Sequence, residues 1–257
     1  MQSTPFSIPG IKNIIAIASG KGGVGKSTTT VNVALALLNH GKRVGILDAD
    51  IYGPNQPHML GGAQKPVLSD KDHFKPVVRF GLQTISMGDV VDSGEPMIWR
   101  GPMVVKALHQ MLYFTEWDNL DYLLIDLPPG TGDVQLTLSQ KTPLNGVIIV
   151  TTPQDVALLD AKKGLEMFRK VNIPILGIIE NMSVYHCEQC GHAAPIFGEK
   201  GAEKLAAACD VKILGKIPLQ LKIREQADAG KPIVIAEPEG EIAKIYNEIT
   251  SKLITDN

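Results

Sequence analysis

The chain has 257 residues, 44% of them hydrophobic and 20% charged, with a formal net charge of −2 and a pI near 6.3. That balance suits a globular chain that buries a core, excludes a disordered one, and carries no overall positive charge of the kind that draws a polyanion. The length is that of one large domain.

No apolar run reaches the length of a membrane span, and Met1 to Gly10 lacks the basic and long apolar regions of a secretory signal, so a cytoplasmic location is expected. Residues 1–10 read as an N-terminal extension and 11–257 as a single domain. Three cysteines in such a length do not make a disulfide framework.

The first apolar run, Ile14 to Ala18, reads as a buried strand and Thr30 to Leu38 as a helix. Between them lies Gly20-Lys21-Gly22-Gly23-Val24-Gly25-Lys26-Ser27, followed by Thr28. Strand, glycine-rich loop and helix in that order make a phosphate loop. Gly20, Gly22, Gly23 and Gly25 let backbone N–H groups, those of Val24 and Thr28 included, turn toward an anion at the positive end of the helix. Lys26 is expected to reach the β- and γ-phosphates of ATP and the Ser27 hydroxyl to help hold Mg²⁺.

Arg43 to Leu47 predicts a second strand that ends in Asp48-Ala49-Asp50, so carboxylates stand where open parallel sheets bind ligands. Asp48 is expected in the Mg²⁺ shell and Asp50 as the residue that orients the attacking water. From Ile51 to about Phe80 the sequence is rich in Gly and Pro and predicts a surface excursion. Leu82 to Ser86 reads as a short strand, and Met103 to Phe114 as a helix with Val104, Ala107, Leu108, Met111 and Leu112 at helical spacing.

Tyr122 to Asp126 is a further buried strand whose terminal Asp126 can hold Mg²⁺ through water opposite Ser27, the Walker-B role. The segment Pro128-Pro129-Gly130-Thr131-Gly132 mixes restrained with free φ angles and reads as a nucleotide-sensing switch. Gly146 to Thr151, Ile175 to Asn181 and Val211 to Ile217 predict strands, and Asp155 to Val171 a helix. Strands that are unbroken apolar runs and alternate with helices predict an α/β fold with a mostly parallel sheet covered on both faces. The last helix, about Glu239 to Ile254, aligns Ile242, Ile245, Tyr246, Ile249 and Leu253. Its mixed charges (Glu239, Glu241, Lys244, Glu248, Lys252 and, beyond it, Asp256) favour core packing over a lipid surface.

Cys187-Glu188-Gln189-Cys190 places two thiols on a turn, a spacing that metal and redox chemistry share. Cys209, directly after the Ala-rich stretch Leu205 to Ala208, reads as a core residue, and His186 and His192 as exposed turn residues outside any ligand set. A four-thiolate site therefore needs distant histidines or a second subunit, and it suits iron–sulfur and zinc alike.

Lys21 is more than an ordinary phosphate loop requires. Lys21-Gly22-Gly23-Val24-Gly25-Lys26-Ser27 resembles the deviant Walker A motif of the P-loop NTPases that include MinD, ParA and the nitrogenase iron protein. Asp48 to Pro54, Trp99-Arg100-Gly101-Pro102-Met103 and Asp126 to Asp133 resemble the Mrp/ApbC iron–sulfur carrier ATPases, a likeness that runs from about Ile11 to the C-terminus. The resemblance implies a homodimer in which Lys21 of each subunit reaches the phosphates held by the other, and Asn181 contacts adenine. It implies a 4Fe-4S cluster bridged between paired turns on Cys187 and Cys190 and delivered to apo-proteins, with cluster-assembly scaffold proteins as further partners. Neither nucleic acid nor stable membrane association is expected. A MinD- or ParA-like positioning ATPase and a zinc-bridged structural dimer are the rival readings. Two features depart from the family pattern: many relatives carry a small additional N-terminal domain, and Gly88-Asp89-Val90 is more polar than usual, which bears on local packing.

Overall fold

The central strands are apolar at nearly every position because helices cover both of their faces. In β1 (Ile11–Ala18), Ile15 and Ile17 enter one core while Ile14, Ala16 and Ala18 enter the other, all of them buried. The structure, a computed structural model, describes residues 8–51, 53–69, 73–90, 101–187 and 189–255. The motif residues Tyr52, Trp99, Arg100 and Glu188, most of the 1–10 extension and Asp256 lie outside them.

From β1 the chain runs through α1 (Lys26–Asn39), β2 (Val44–Asp48), α2 (Gln56–Met59), β3 (Val77–Arg79), β4 (Leu82–Ser86) and α3 (Met87–Val90). It continues through α4 (Gly101–Tyr113), β5 (Leu120–Asp126), α5 (Asp133–Lys141), β6 (Gly146–Thr151), α6 (Asp155–Lys170) and β7 (Ile175–His186). The remainder is β8 (Ala193–Ala194), α7 (Gly201–Cys209), β9 (Ile213–Leu219), α8 (Leu221–Asp228), α9 (Ile233–Ala236) and α10 (Glu241–Thr255). The sheet order is β3-β4-β2-β5-β1-β6-β7, with β8 and β9 both on β7. All pairings are parallel except β3 with β4 and β7 with β8, which establishes the mostly parallel α/β fold. The C-terminal ends of β1, β2, β5, β6 and β7 therefore share one edge.

α1, α9 and α10 close the core that holds Ile15 and Ile17, whereas α4, α5, α6 and α7 close the opposite one through Leu108, Leu138, Phe168 and Ala202. The stripe of α10 lies in that first core: Ile242, Tyr246, Ile249 and Leu253 are buried, and Ile245 is partly so. The apolar face that would lie on lipid instead packs on α1 and β9. Among the described residues no helix is long and apolar enough to cross a membrane.

Three segments differ from what the sequence predicts. Ile51 to Phe80 is not a mere surface excursion, since it supplies α2 and β3 and buries Gln56, Met59, Leu60, Val77 and Arg79. The polar Asp89 is accommodated because Arg79 meets it with both terminal nitrogens, at 2.7 and 3.2 Å, and the Gln64 N–H donates to it at 3.0 Å. β7 runs five residues past the expected end at Asn181, to His186, because β9 stays paired with it as far as Tyr185 and Leu219 while β8 takes over from β6, Tyr185 pairing with Ala194. The extension begins with a bend at Met182, whose φ of 55° is in the left-handed region.

Candidate functional site

The loop after β1 is shaped by its neighbours as well as by its glycines. Gly25 caps α1 at φ 81°, and a Cβ there would collide with the Asn181 amide, whose Nδ2 donates to the Val24 carbonyl at 2.9 Å. A Cβ on Gly20 would collide with the backbone of Asp160 in α6. The Pro128 to Gly132 segment after β5 leans on the same loop: the Gly130 N–H donates to the Ser19 carbonyl at 2.9 Å, and Gly22 faces Pro129. The Ser19 hydroxyl donates to the Lys21 carbonyl at 2.9 Å, so the Lys21 backbone is tethered while the residue is exposed, as are Gly22 and Gly23. α1 begins with Lys26, Ser27 and Thr28 and carries no acidic residue in its first turn, which leaves its positive end open to an anion.

Behind the loop, parallel register sets Asp48 of β2 directly beside Asp126 of β5, both fully buried. Lys26 Nζ is 2.7 Å from Asp126 Oδ1 and 3.3 Å from Ser27 Oγ; the Thr30 hydroxyl also donates to Asp126 Oδ1, at 3.0 Å. Asp48 accepts from the Ser86 hydroxyl at 2.9 Å, the Asp50 N–H at 3.1 Å and the Gln56 N–H at 3.3 Å. Asp50 itself is half-buried. Burial first, and then the Asp126 carboxylate, push the Asp48 carboxyl up from 3.8 to about 7, against the opposing pull of Ser86, the Asp50 N–H and Lys26. The carboxylates and the Ser27 hydroxyl form an all-oxygen donor set, the kind that suits Mg²⁺.

The raised pKa has a measurable consequence. Through the window from about 4 to about 7 the folded chain keeps a proton that the unfolded chain has released, so this group's contribution to stability falls as pH rises. In EDTA, urea unfolding at about pH 5 and about pH 8 is expected to show wild type losing stability across that interval and Asp48→Asn losing markedly less. Equal losses would refute the assignment.

At the far end of β7, Cys187 and Cys190 form a hairpin turn closed by Cys187 N–H to His192 carbonyl at 3.0 Å and Gly191 N–H to Cys187 carbonyl at 2.8 Å. Cys187 is half-buried, Cys190 and His192 are exposed, and Cys209 is buried in α7; none is in a disulfide. Among the described residues no group of three or more His, Cys, Asp or Glu could hold a metal within one chain.

The family described as ParA, NUBPL iron-transfer P-loop NTPase, matches residues 10–254. The chain belongs to this family. It is 59% identical to the iron–sulfur cluster carrier protein of Pseudomonas fragi, over 94% of this chain and 86% of that one. Among solved structures it is similar to the nucleotide-binding protein of Archaeoglobus fulgidus in complex with ADP (35% identity, TM-score 0.80, 92% and 93% of the two chains). The cell division ATPase MinD of Pyrococcus furiosus shares the fold, with 24% identity and a TM-score of 0.71 over 95% and 99% of the chains.

Besides the predicted residues, this P-loop NTPase brings Gln56, Ser86 and Thr30 to the carboxylate pair. Thr30 follows from its place one turn after Lys26. Gln56 carries no signal, because its segment reads as a loop.

Proposed function

We infer that the chain binds and hydrolyses ATP as a homodimer, holds a 4Fe-4S cluster as cargo between two Cys187/Cys190 turns, and passes it to apo-proteins. The observation that carries this reading is β7, which serves both sites: Asn181 holds the phosphate loop at Val24, and the same strand leads past the bend at Met182 into the cysteine turn. A shift of the loop on nucleotide binding therefore has a path to the cargo, through the Asn181 hydrogen bond and then along the backbone of β7. The carrier name of the Pseudomonas fragi relative and the ADP in the Archaeoglobus fulgidus neighbour support the two halves of the reading.

In this reading residues 11–257 act as one ATPase domain with the cysteine turn inserted in it. The backbone from Gly20 to Thr28 cradles the phosphates, Lys26 neutralises them, and Ser27, Asp48 and Asp126 hold magnesium, which draws charge from the phosphate oxygens when bound. Asp50 orients the attacking water. The Asn181 amide, whose nitrogen is on Val24, keeps its oxygen for the amino edge of adenine. The exposed Lys21 extends to the partner's phosphates and supplies positive charge only when two chains meet, as an arginine finger does. The cytoplasm is the compartment, and apo iron–sulfur and scaffold proteins are the partners.

Iron, acid-labile sulfide and zinc measured per dimer after anaerobic reconstitution test the cargo. Iron and sulfide in equal amounts are expected; zinc in their place, without sulfide, overturns the carrier function. For the ATPase, Lys21→Ala is expected to hold nucleotide within about twofold of wild type and to lose turnover by about 10³-fold, the scale of an arginine finger. Wild-type turnover in that variant would remove the cross-subunit role.

A further inference from the structure

Gln56 opens α2 at 1% exposure, far more buried than a polar side chain in a Gly- and Pro-rich loop has reason to be. Its Nε2 donates to Asp126 Oδ2 at 2.9 Å and to the Ser27 carbonyl at 3.2 Å. Two acceptors on that side fix which way the amide faces, since the flipped amide would set oxygen against a carboxylate. The other atom, Oε1, is buried and has no hydrogen-bond partner among the described residues. A buried acceptor without a donor asks for one that arrives with a ligand.

The neighbours of the amide say which ligand. Gln56 spans the backbone of Ser27 and the carboxylate of Asp126, two residues that hold magnesium in the function proposed above, Ser27 through its hydroxyl. Magnesium dehydrates reluctantly and keeps several waters, each a donor. Lys26 now occupies the other oxygen of Asp126. Once Lys26 engages a phosphate, Thr30 and Gln56 are the side chains left to orient that carboxylate.

We propose that Gln56 is a positioning residue for the magnesium of a bound nucleoside triphosphate: its Nε2 fixes Asp126, and its Oε1 accepts from a water of the ion's shell. The proposal rests on the nucleotide-binding reading. Nucleotide bound without magnesium has no use for Oε1, so the role is seen as a difference between two affinities of one protein. Outer-shell partners of this kind are worth about 10- to 100-fold in metal affinity.

A fluorescent ATP analogue is titrated into the full chain in excess Mg²⁺ and in EDTA, for wild type, Gln56→Leu and Gln56→Met. Thermal unfolding monitors the fold, and the methionine variant keeps the length of the buried side chain. Wild type is expected to bind more tightly with Mg²⁺. Both variants are expected to lose about tenfold of that enhancement while their affinity in EDTA stays within about twofold of wild type. A folded variant with the full wild-type enhancement overturns the proposal, as does equal weakening in both conditions, which marks a merely structural residue. Wild type that binds no analogue in either condition overturns the nucleotide reading itself, and the proposal with it.

Discussion

Lys26→Ala is expected to weaken nucleotide binding by about two orders of magnitude and also to destabilise the chain when no nucleotide is present. The first effect is the loss of charged hydrogen bonds to phosphate, each worth about 1.5–3 kcal/mol. The second follows from where Lys26 sits: at 6% exposure, 2.7 Å from an Asp126 carboxylate that is wholly buried. Removing one partner of a buried pair typically costs about 3–5 kcal/mol. Here Asp48 stands beside Asp126 with its carboxyl already raised to about 7, and Lys26 is one of the groups that restrain it. Without that ammonium Asp48 holds its proton to still higher pH, so the folded state of the variant pays its penalty chiefly in alkaline buffer. Calorimetric titration with ATP checks the first effect. Urea unfolding at about pH 5 and about pH 8 checks the second, with the gap between variant and wild type expected to widen at the higher pH. An equal gap at both would mean that the pair of carboxylates does not sense Lys26.

That coupling explains what the sequence could and could not disclose. The parallel sheet was legible because residues such as Ile14 to Ala18 and Tyr122 to Ile125 are apolar without alternation, which only a strand covered on both faces requires. The loop from Gly20 to Ser27 was legible because glycine, lysine and hydroxyl must follow a strand and open a helix. The side chain of Gln56 was not, since nothing local to it marks burial: its place depends on Ser27 and Asp126, distant in sequence, and α2 is a single turn within a loop. The same holds for Arg79 and Asp89. Nothing local to either marks it as buried, and only the fold of β3 against β4 brings the two within 2.7 Å. The end of β7 is not legible because polar residues such as Ser183 and His186 do not resemble a buried strand. Beyond Asn181 they are part of a narrower ribbon, flanked by β8 and β9 and half-exposed, where polar residues are at no disadvantage.

The double variant Cys187→Ala/Cys190→Ala is expected to lose essentially all iron and acid-labile sulfide after anaerobic reconstitution, with no loss of fold or of ATP binding. The turn is held by backbone bonds, Cys187 N–H to His192 carbonyl and Gly191 N–H to Cys187 carbonyl, and the strand below it by pairing with β8 and β9; alanine keeps all of these. The thiols are half-buried and exposed, so their removal leaves no cavity in either core. Cys209→Ala is the control. Its thiol is 5% exposed within the core against α6, so it should cost some stability and no iron. Because one chain offers a cluster two thiolates, each single variant removes two of the four ligands of a bridged site, and Cys187→Ala or Cys190→Ala alone should lose nearly as much iron as the pair. That near-equality is what separates a bridged cluster from one bound within a single chain together with other ligands. Sedimentation of the reconstituted protein adds the second criterion: the double variant should dimerise with Mg·ATP but no longer in response to iron and sulfide. A double variant that retains wild-type iron and sulfide would place the cargo elsewhere on the molecule. One that loses iron while the wild type carries it as a monomer would leave the turn as the site and remove the second chain from it.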